Sequence, residues 1–197
     1  MNVDLETIDL YDRRADDYAQ FATTPVELAL LDSFQQALPD GAYVLDLGCG
    51  PGHAAAAMSK AGLTVDATDA SAEMVRLAAR HTGISVRLES FGNLDAVGAY
   101  DGIWASFSLL HAARGNFPQH LQAIHRALRP GGLFFLGMKL GTGEKRDELG
   151  RFYTYYTEDE LSTYLKQAGF TITARKKWQG KGLAGGVEPF IAITAHG

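Results

Sequence analysis

Cysteine occurs once, as Cys49, in the 197 residues. A disulfide framework needs pairs and a thiolate metal site needs a cluster, so both are excluded, and a reducing, cytoplasmic setting is expected. Long apolar runs are missing too. Nothing approaches the roughly 18 consecutive apolar residues of a membrane span, and the opening MNVDLETIDLYDRR is acidic and polar, unlike a signal peptide. Long basic runs are also lacking: 18 Lys+Arg against 23 Asp+Glu give a net charge of −5. That field opposes binding to a phosphate backbone, so no nucleic-acid partner is expected. His120 and His125 lie five apart on a predicted helix and do not share a face, so no metal is expected.

What is there is an ordinary globular composition, 46% hydrophobic and 21% charged. At this length a chain can bury roughly 70% of the surface its unfolded form exposes. One domain over residues 1–197 is expected, with 1–40 as a helical cover and 41–197 as the core, in a monomer or homodimer. Residues to about Ala22 read as a polar helix. Thr24-Pro25-Val26-Glu27 then forms a capping box with proline at the first helical position. Leu31, Phe34 and Leu38 follow at helical spacing until Pro39-Asp40-Gly41 stops that helix.

Short apolar runs then alternate with helical stretches. Strands are predicted over 43–47, 63–69, 84–88, 100–107 and 133–138, and helices over 54–60, 71–80 and a segment whose stripe is Leu121, Ile124 and Leu128. Buried strands alternating with helices predict an α/β, Rossmann-like, mostly parallel sheet with helices on both faces. A further capping box at Thr157–Glu160 opens a helix to Gly169, followed by strands over 170–178 and 189–195. The glycine-rich stretch 180–186 between them is too short for a crossover helix, so the seventh strand should close a C-terminal antiparallel hairpin. Segments 141–150 and 180–186 read as mobile loops.

The most informative stretch is Val44-Leu45-Asp46-Leu47-Gly48-Cys49-Gly50-Pro51-Gly52. Alternate glycines after a first strand let the backbone approach a ligand where the next helix presents free N–H groups. Asp69, closing the second strand about 20 residues on, can accept both hydroxyls of a ribose. A dinucleotide fingerprint fails, because His53 stands where glycine or alanine is required. Asp46 would face a pyrophosphate unfavourably and suits a ligand bearing an ammonium or sulfonium charge.

VLDLGCGPG resembles the first motif of class I S-adenosylmethionine-dependent methyltransferases, and DASAEMVRLA their segment after the second strand. YDGIWASFSLLH is similar to their fourth strand and its turn, and LRPGGLFFLGMK to their fifth. GRFYTYYTEDELSTYLKQAGF resembles the close of many small bacterial members. The resemblance spans about residues 40–197 and implies S-adenosylmethionine as cofactor. It implies that Asp46 and the backbone of Gly48, Cys49 and Gly50 hold the methionine end, and Asp69 the ribose. Ala70, Met74, Ser90 and Phe91 would flank the adenine, although the usual aspartate before that contact is missing. Ser106 and Phe107 would lie next to the transferable methyl. Tyr11 and Tyr18, seven apart on one helical face, resemble tyrosines that close over the cofactor.

Methyl transfer from a sulfonium is an in-line displacement, which needs alignment and exclusion of water more than a protein nucleophile. His111, after the fourth strand, is the candidate base and substrate contact, with an ordinary pKa near 6.5. Arg151 and Tyr153 are candidates for a substrate wall, and Lys139 and Arg14 are surface cations that could draw in an anionic substrate. The turn after the fourth strand lacks the Pro-Pro-aromatic signature of base-amine methylation. One cysteine excludes cytosine C5 and arsenite chemistry, and Asp101 opens its strand instead of ending it, unlike the metal-dependent catechol type. A small-molecule acceptor is left, through oxygen, nitrogen, sulfur or a chalcogen oxyanion. The alternative is a catalytically silent protein that binds S-adenosylmethionine or S-adenosylhomocysteine, such as a partner subunit.

Overall fold

Strands that run parallel must be joined by crossovers, and crossovers bury both faces of the sheet. The computed structural model, which describes residues 3–20, 23–182 and 185–197, shows this arrangement. Helices α1 (Leu5–Arg13), α2 (Ala15–Ala19) and α3 (Pro25–Gln36) precede β1 (Tyr43–Leu47). Then α4 (His53–Lys60) leads to β2 (Thr64–Asp69), α5 (Ala72–Thr82) to β3 (Val86–Leu88), and β4 (Tyr100–Ser106) through α6 (Phe117–Ala127) to β5 (Leu128–Lys139). A small pair, β6 (Glu144–Arg146) and β7 (Phe152–Thr154), precedes α7 (Glu158–Gln167), and β8 (Thr171–Lys181) and β9 (Val187–His196) end the chain. The main sheet has seven strands in the order β3-β2-β1-β4-β5-β9-β8. Its pairs from β3 to β5 are parallel, while β9 runs antiparallel to both β5 and β8.

The period-2 alternation of each central strand splits its side chains between two cores. Val44, Trp104 and Phe135 face α3 and α4, where they meet Leu31, Phe34 and Met58. Leu45, Ile103 and Phe134 face α6 and α7, where they meet Leu121, Ile124 and Leu161. On the first face Trp104 stacks on Phe135 at 3.7 Å between ring centroids, and Phe34 meets Trp104 edge-on at 5.2 Å. Gly102 makes this possible, since a Cβ there would press on Phe34 and Leu38.

Four expectations need correcting. The polar opening segment is two helices, broken at Arg14 where φ is −118°; its expected end at Ala22 falls outside the described residues. Leu128 is not on the helix but pairs with Tyr100 as the first residue of β5, which still buries it. The segment 141–150, read as a loop because it is rich in glycine and charge, contains β6. Glu144, Lys145 and Arg146 pair with Thr154, Tyr153 and Phe152. In the C-terminal hairpin the strands extend to Lys181 and from Val187, so little of the expected loop is left, and residues 183 and 184 lie outside the described part.

Phe34→Ala should leave a cavity against Trp104 and Phe135 that the helix cannot refill. Urea unfolding should register a loss of about 3–5 kcal/mol; a loss below about 1 kcal/mol would mean that α3 is not anchored there.

Candidate active site

In an open α/β sheet the crevice forms outside the carboxyl ends of the strands, where connections on either side diverge. Here that point lies between β1 and β4, and a cavity of about 480 Å³ occupies it. The loop after β1 is bent by left-handed glycines, of which Gly48 (φ 75°) is the most constrained, since a Cβ there would collide with Ser108. The amides of Gly48 and Cys49 both donate to the Thr68 carbonyl at 2.9 Å, tying the loop to β2. Asp69 completes the tie: one carboxylate oxygen accepts from Gly50 N–H at 2.8 Å, the other from Ser71 N–H at 2.9 Å.

Two carboxylates thus line the cavity at the ends of adjacent strands. Asp69 is held by backbone N–H groups, but burial outweighs them and raises its pKa. Asp46 is only 2% exposed, and its Oδ2 has no hydrogen-bond partner among the described residues. Burial pushes its carboxyl up to about 7, against the lowering effect of a hydrogen bond from the Ala55 amide. An orphaned carboxylate oxygen in a cavity calls for a cation or a donor. The ammonium and sulfonium of S-adenosylmethionine meet that demand. Asp69 keeps lone pairs free for ribose hydroxyls, and Ala70, Met74 and Phe91 offer an apolar wall for adenine.

The cover closes over the cavity through polar contacts as well as packing. Asp12 of α1 accepts from Ser71 Oγ at 2.6 Å and from Glu73 N–H at 3.1 Å, at the N-terminus of α5. Thr7 Oγ1 accepts from Phe152 N–H at 2.8 Å, and Asp4 pairs with Arg146 at 2.8 Å. Tyr11 and Tyr18 meet edge-to-face at 5.4 Å although they sit on separate helices.

At the other end of the cavity His111 is held on both nitrogens. The Phe152 carbonyl lies 2.6 Å from Nδ1, and a carbonyl can only accept, so Nδ1 carries the proton. Nε2 is then an acceptor, and the Tyr11 hydroxyl donates to it at 2.8 Å. Burial lowers the His111 pKa to about 4. Phe107 stands just past β4 at φ 55°, a left-handed backbone that a bulky residue rarely adopts and that clusters at ligand sites. Its ring packs edge-on against Phe190 (5.3 Å) and Trp178 (6.1 Å).

The structure gathers nearly all the sequence candidates around the one cavity. Tyr11, Tyr18, Asp46, Gly48, Cys49, Gly50, Asp69, Ala70, Met74, Phe91, Ser106, Phe107, His111, Lys139, Arg151 and Tyr153 line it. Two are not on its wall. Arg14 is exposed and pairs with Asp17 at 3.3 Å, at the break between α1 and α2. Ser90 turns its hydroxyl to Asn93 at 2.6 Å. Lys139 is not the surface cation it resembled: it is 7% exposed, ion-paired to Glu188 at 2.6 Å. Burial raises the Cys49 thiol well above its ordinary value, away from nucleophilic use. Sequence reasoning missed Asp12, Asp147, Glu188 and Trp178. Among the described residues no three His, Cys, Asp or Glu side chains group as a metal site, and no helix is long and apolar enough to cross a membrane.

Asp46 gives a stability test. With its carboxyl near 7 when folded and 3.8 as the reference, the ligand-free native state binds a proton that the unfolded chain loses. That contribution is full below about pH 4 and lost as pH rises through 7. Asp46→Asn should therefore flatten the decline in stability between pH 5 and 8, and at pH 8 exceed the parent by on the order of 2–4 kcal/mol in urea unfolding. Parallel pH profiles for the two proteins would contradict the buried, unpaired carboxylate.

Residues 44–132 match the family described as Methyltransferase domain. A ubiquinone biosynthesis O-methyltransferase of Xanthomonas axonopodis is 33% identical over 122 residues, covering 58% of this chain and 49% of that protein. An S-adenosyl-L-methionine-dependent Diels-Alderase of Talaromyces variabilis is 34% identical over 110 residues, 51% of this chain and 37% of its own. The chain spans about half the length, or less, of these curated relatives. Among solved structures, a Burkholderia thailandensis 1,6-didemethyltoxoflavin-N1-methyltransferase superposes with a TM-score of 0.71 at 24% identity, covering 100% of this chain and 91% of that one. Residues 44–132 thus carry a methyltransferase domain, and in fold and strand order the chain is similar to S-adenosylmethionine-dependent methyltransferases.

Proposed function

We propose that this protein transfers the methyl group of S-adenosylmethionine to a small molecule seated beside His111, Lys139 and Tyr153. The observation that carries this reading is continuity: one cavity joins the Asp46 and Asp69 carboxylates to that second group of side chains. Its volume of about 480 Å³ falls in the range of small-molecule sites, roughly 300–1,000 Å³. When bound, the cofactor supplies an electrophilic methyl on a cationic sulfur.

The chain's own residues then do three things. Asp46 and Asp69 bind and orient, one as counter-charge, the other at the ribose. Tyr11, Tyr18 and α1 exclude water from above, which strengthens every electrostatic contact beneath them. His111, fixed as the Nδ1–H tautomer, offers Nε2 as an acceptor. With a pKa of about 4 it is neutral at pH 7 and too weak a base for an alcohol. It suits an acidic O–H or N–H that replaces the Tyr11 hydroxyl as donor.

A second reading is favoured by the Diels-Alderase relative, whose name couples cofactor dependence to a different reaction. In that case the same cavity would hold the cofactor as a fixed charge without methyl transfer.

Calorimetric titration with S-adenosylhomocysteine should give saturable binding, weakened at least tenfold in Asp69→Asn. Binding followed by a screen of small acceptors with methyl-labelled cofactor separates the two readings: label transfer supports the first, and binding with no transfer to any acceptor supports the second. No binding would sink both. His111→Ala should lower kcat/KM for the acceptor by about 10²-fold while S-adenosylhomocysteine still binds; unchanged turnover would remove His111 from the reaction.

A further inference from the structure

The sheet order sets a charge order along the cavity. Moving along the carboxyl ends from β2 to β1, β4 and β5, the side chains met are Asp69, Asp46, Ser106 and Lys139. Two acids stand at one end and a cation at the other. Arg151, which precedes β7, adds a second cation to that end.

Both cations have carboxylate partners, and the placement of those partners decides what the cavity presents. Lys139 pairs with Glu188 at 2.6 Å, and Arg151 with Asp147 at 2.6 Å. Lys139 and Arg151 line the cavity, whereas Glu188 and Asp147 do not. The two cationic residues are thus on the cavity wall, and their counter-charges are not among the residues that line it. Between them stands Tyr153, with Lys139 Nζ 4.0 Å and Arg151 Cζ 5.1 Å from its ring centroid. Phe107, Trp178 and Phe190 complete an aromatic wall on the same side. Flat walls accept a flat ligand, and cations on the wall of a water-poor site accept a negative one.

Resting on the methyl-transfer reading above, we propose that the acceptor is a small planar anion. Its charge is received by Lys139 and Arg151, and its ring lies among Tyr153, Phe107 and Trp178. A carboxylate or an ionised ring oxygen or nitrogen supplies the required chemistry. Glu188, on the half-buried β9 side of Lys139, competes with that anion for the ammonium, so it sets the affinity.

Matched isosteres test this without knowledge of the true acceptor. Protein saturated with S-adenosylhomocysteine is titrated calorimetrically with nicotinate against nicotinamide, and with 4-hydroxybenzoate against 4-hydroxybenzamide. The anion of at least one pair should bind tenfold or more tightly than its neutral partner. Lys139→Met should abolish that preference, and Glu188→Gln should raise it several-fold by freeing the ammonium, an opposite sign that damage to the fold would not produce. Equal affinities, a preference for the amides, or no response to either pair in protein that binds S-adenosylhomocysteine would overturn the proposal. Failure to bind S-adenosylhomocysteine would strike instead at the methyl-transfer reading.

Discussion

The carboxylate of Asp69 is the point through which the parts of the cofactor end are joined. Its two oxygens take the amides of Gly50 and Ser71, so that the glycine loop, β2 and the start of α5 share one anchor. Ser71 in turn donates its hydroxyl to Asp12, which brings the N-terminal cover into the same network. Charge-assisted hydrogen bonds to backbone N–H groups are among the stronger polar contacts a protein can make. Loss of this carboxylate would therefore be felt in the loop, the helix and the cover together.

The second constraint is that buried charge must be matched. At the Lys139 end of the cavity the chain meets it internally, by pairing Arg151 with Asp147 and Lys139 with Glu188. At the cofactor end Asp46 is left without a partner for one oxygen, and the protein holds the resulting electrostatic strain in its ligand-free form. A cation or donor that enters at the unsatisfied end relieves a cost already present, which adds to its affinity. The same logic explains why His111 is neutral: loss of solvent and two nearby cations, Arg151 and Lys139, both disfavour an imidazolium.

The seven-strand sheet and its terminal hairpin were legible because each element carries its own periodicity, and the glycine loop with Asp46 and Asp69 because these lie within one βαβ unit. Residues that act across the chain left no such mark. Trp178 and Phe190 reach the cavity because they pair across the β8–β9 ladder, with Phe190 also opposite Lys139. Glu188 finds Lys139, and Asp12 finds Ser71, by docking of distant segments. Lys139 did carry a readable signal: a lysine closing the apolar run Leu133-Phe134-Phe135-Leu136-Gly137-Met138 sits at the buried end of a strand, where a charge needs a reason. The strand β6 was hidden by its composition, since Glu144-Lys145-Arg146 has no apolar face and depends on β7 for its form.

The position of β9 has a consequence for how the molecule is made. Chains emerge from the ribosome N-terminus first, at roughly 5–20 residues per second, so β1 to β5 and both carboxylates of the cofactor end are available early. Yet β9, made after β8, inserts between β5 and β8 instead of at an outer edge. Until it does, one long side of β5 is an open hydrogen-bonding edge, and Lys139 has no Glu188 to answer it. The two ends of the cavity are thus completed at different times, and the nascent chain has to protect the buried stretch of β5 from pairing with a neighbour until β9 arrives.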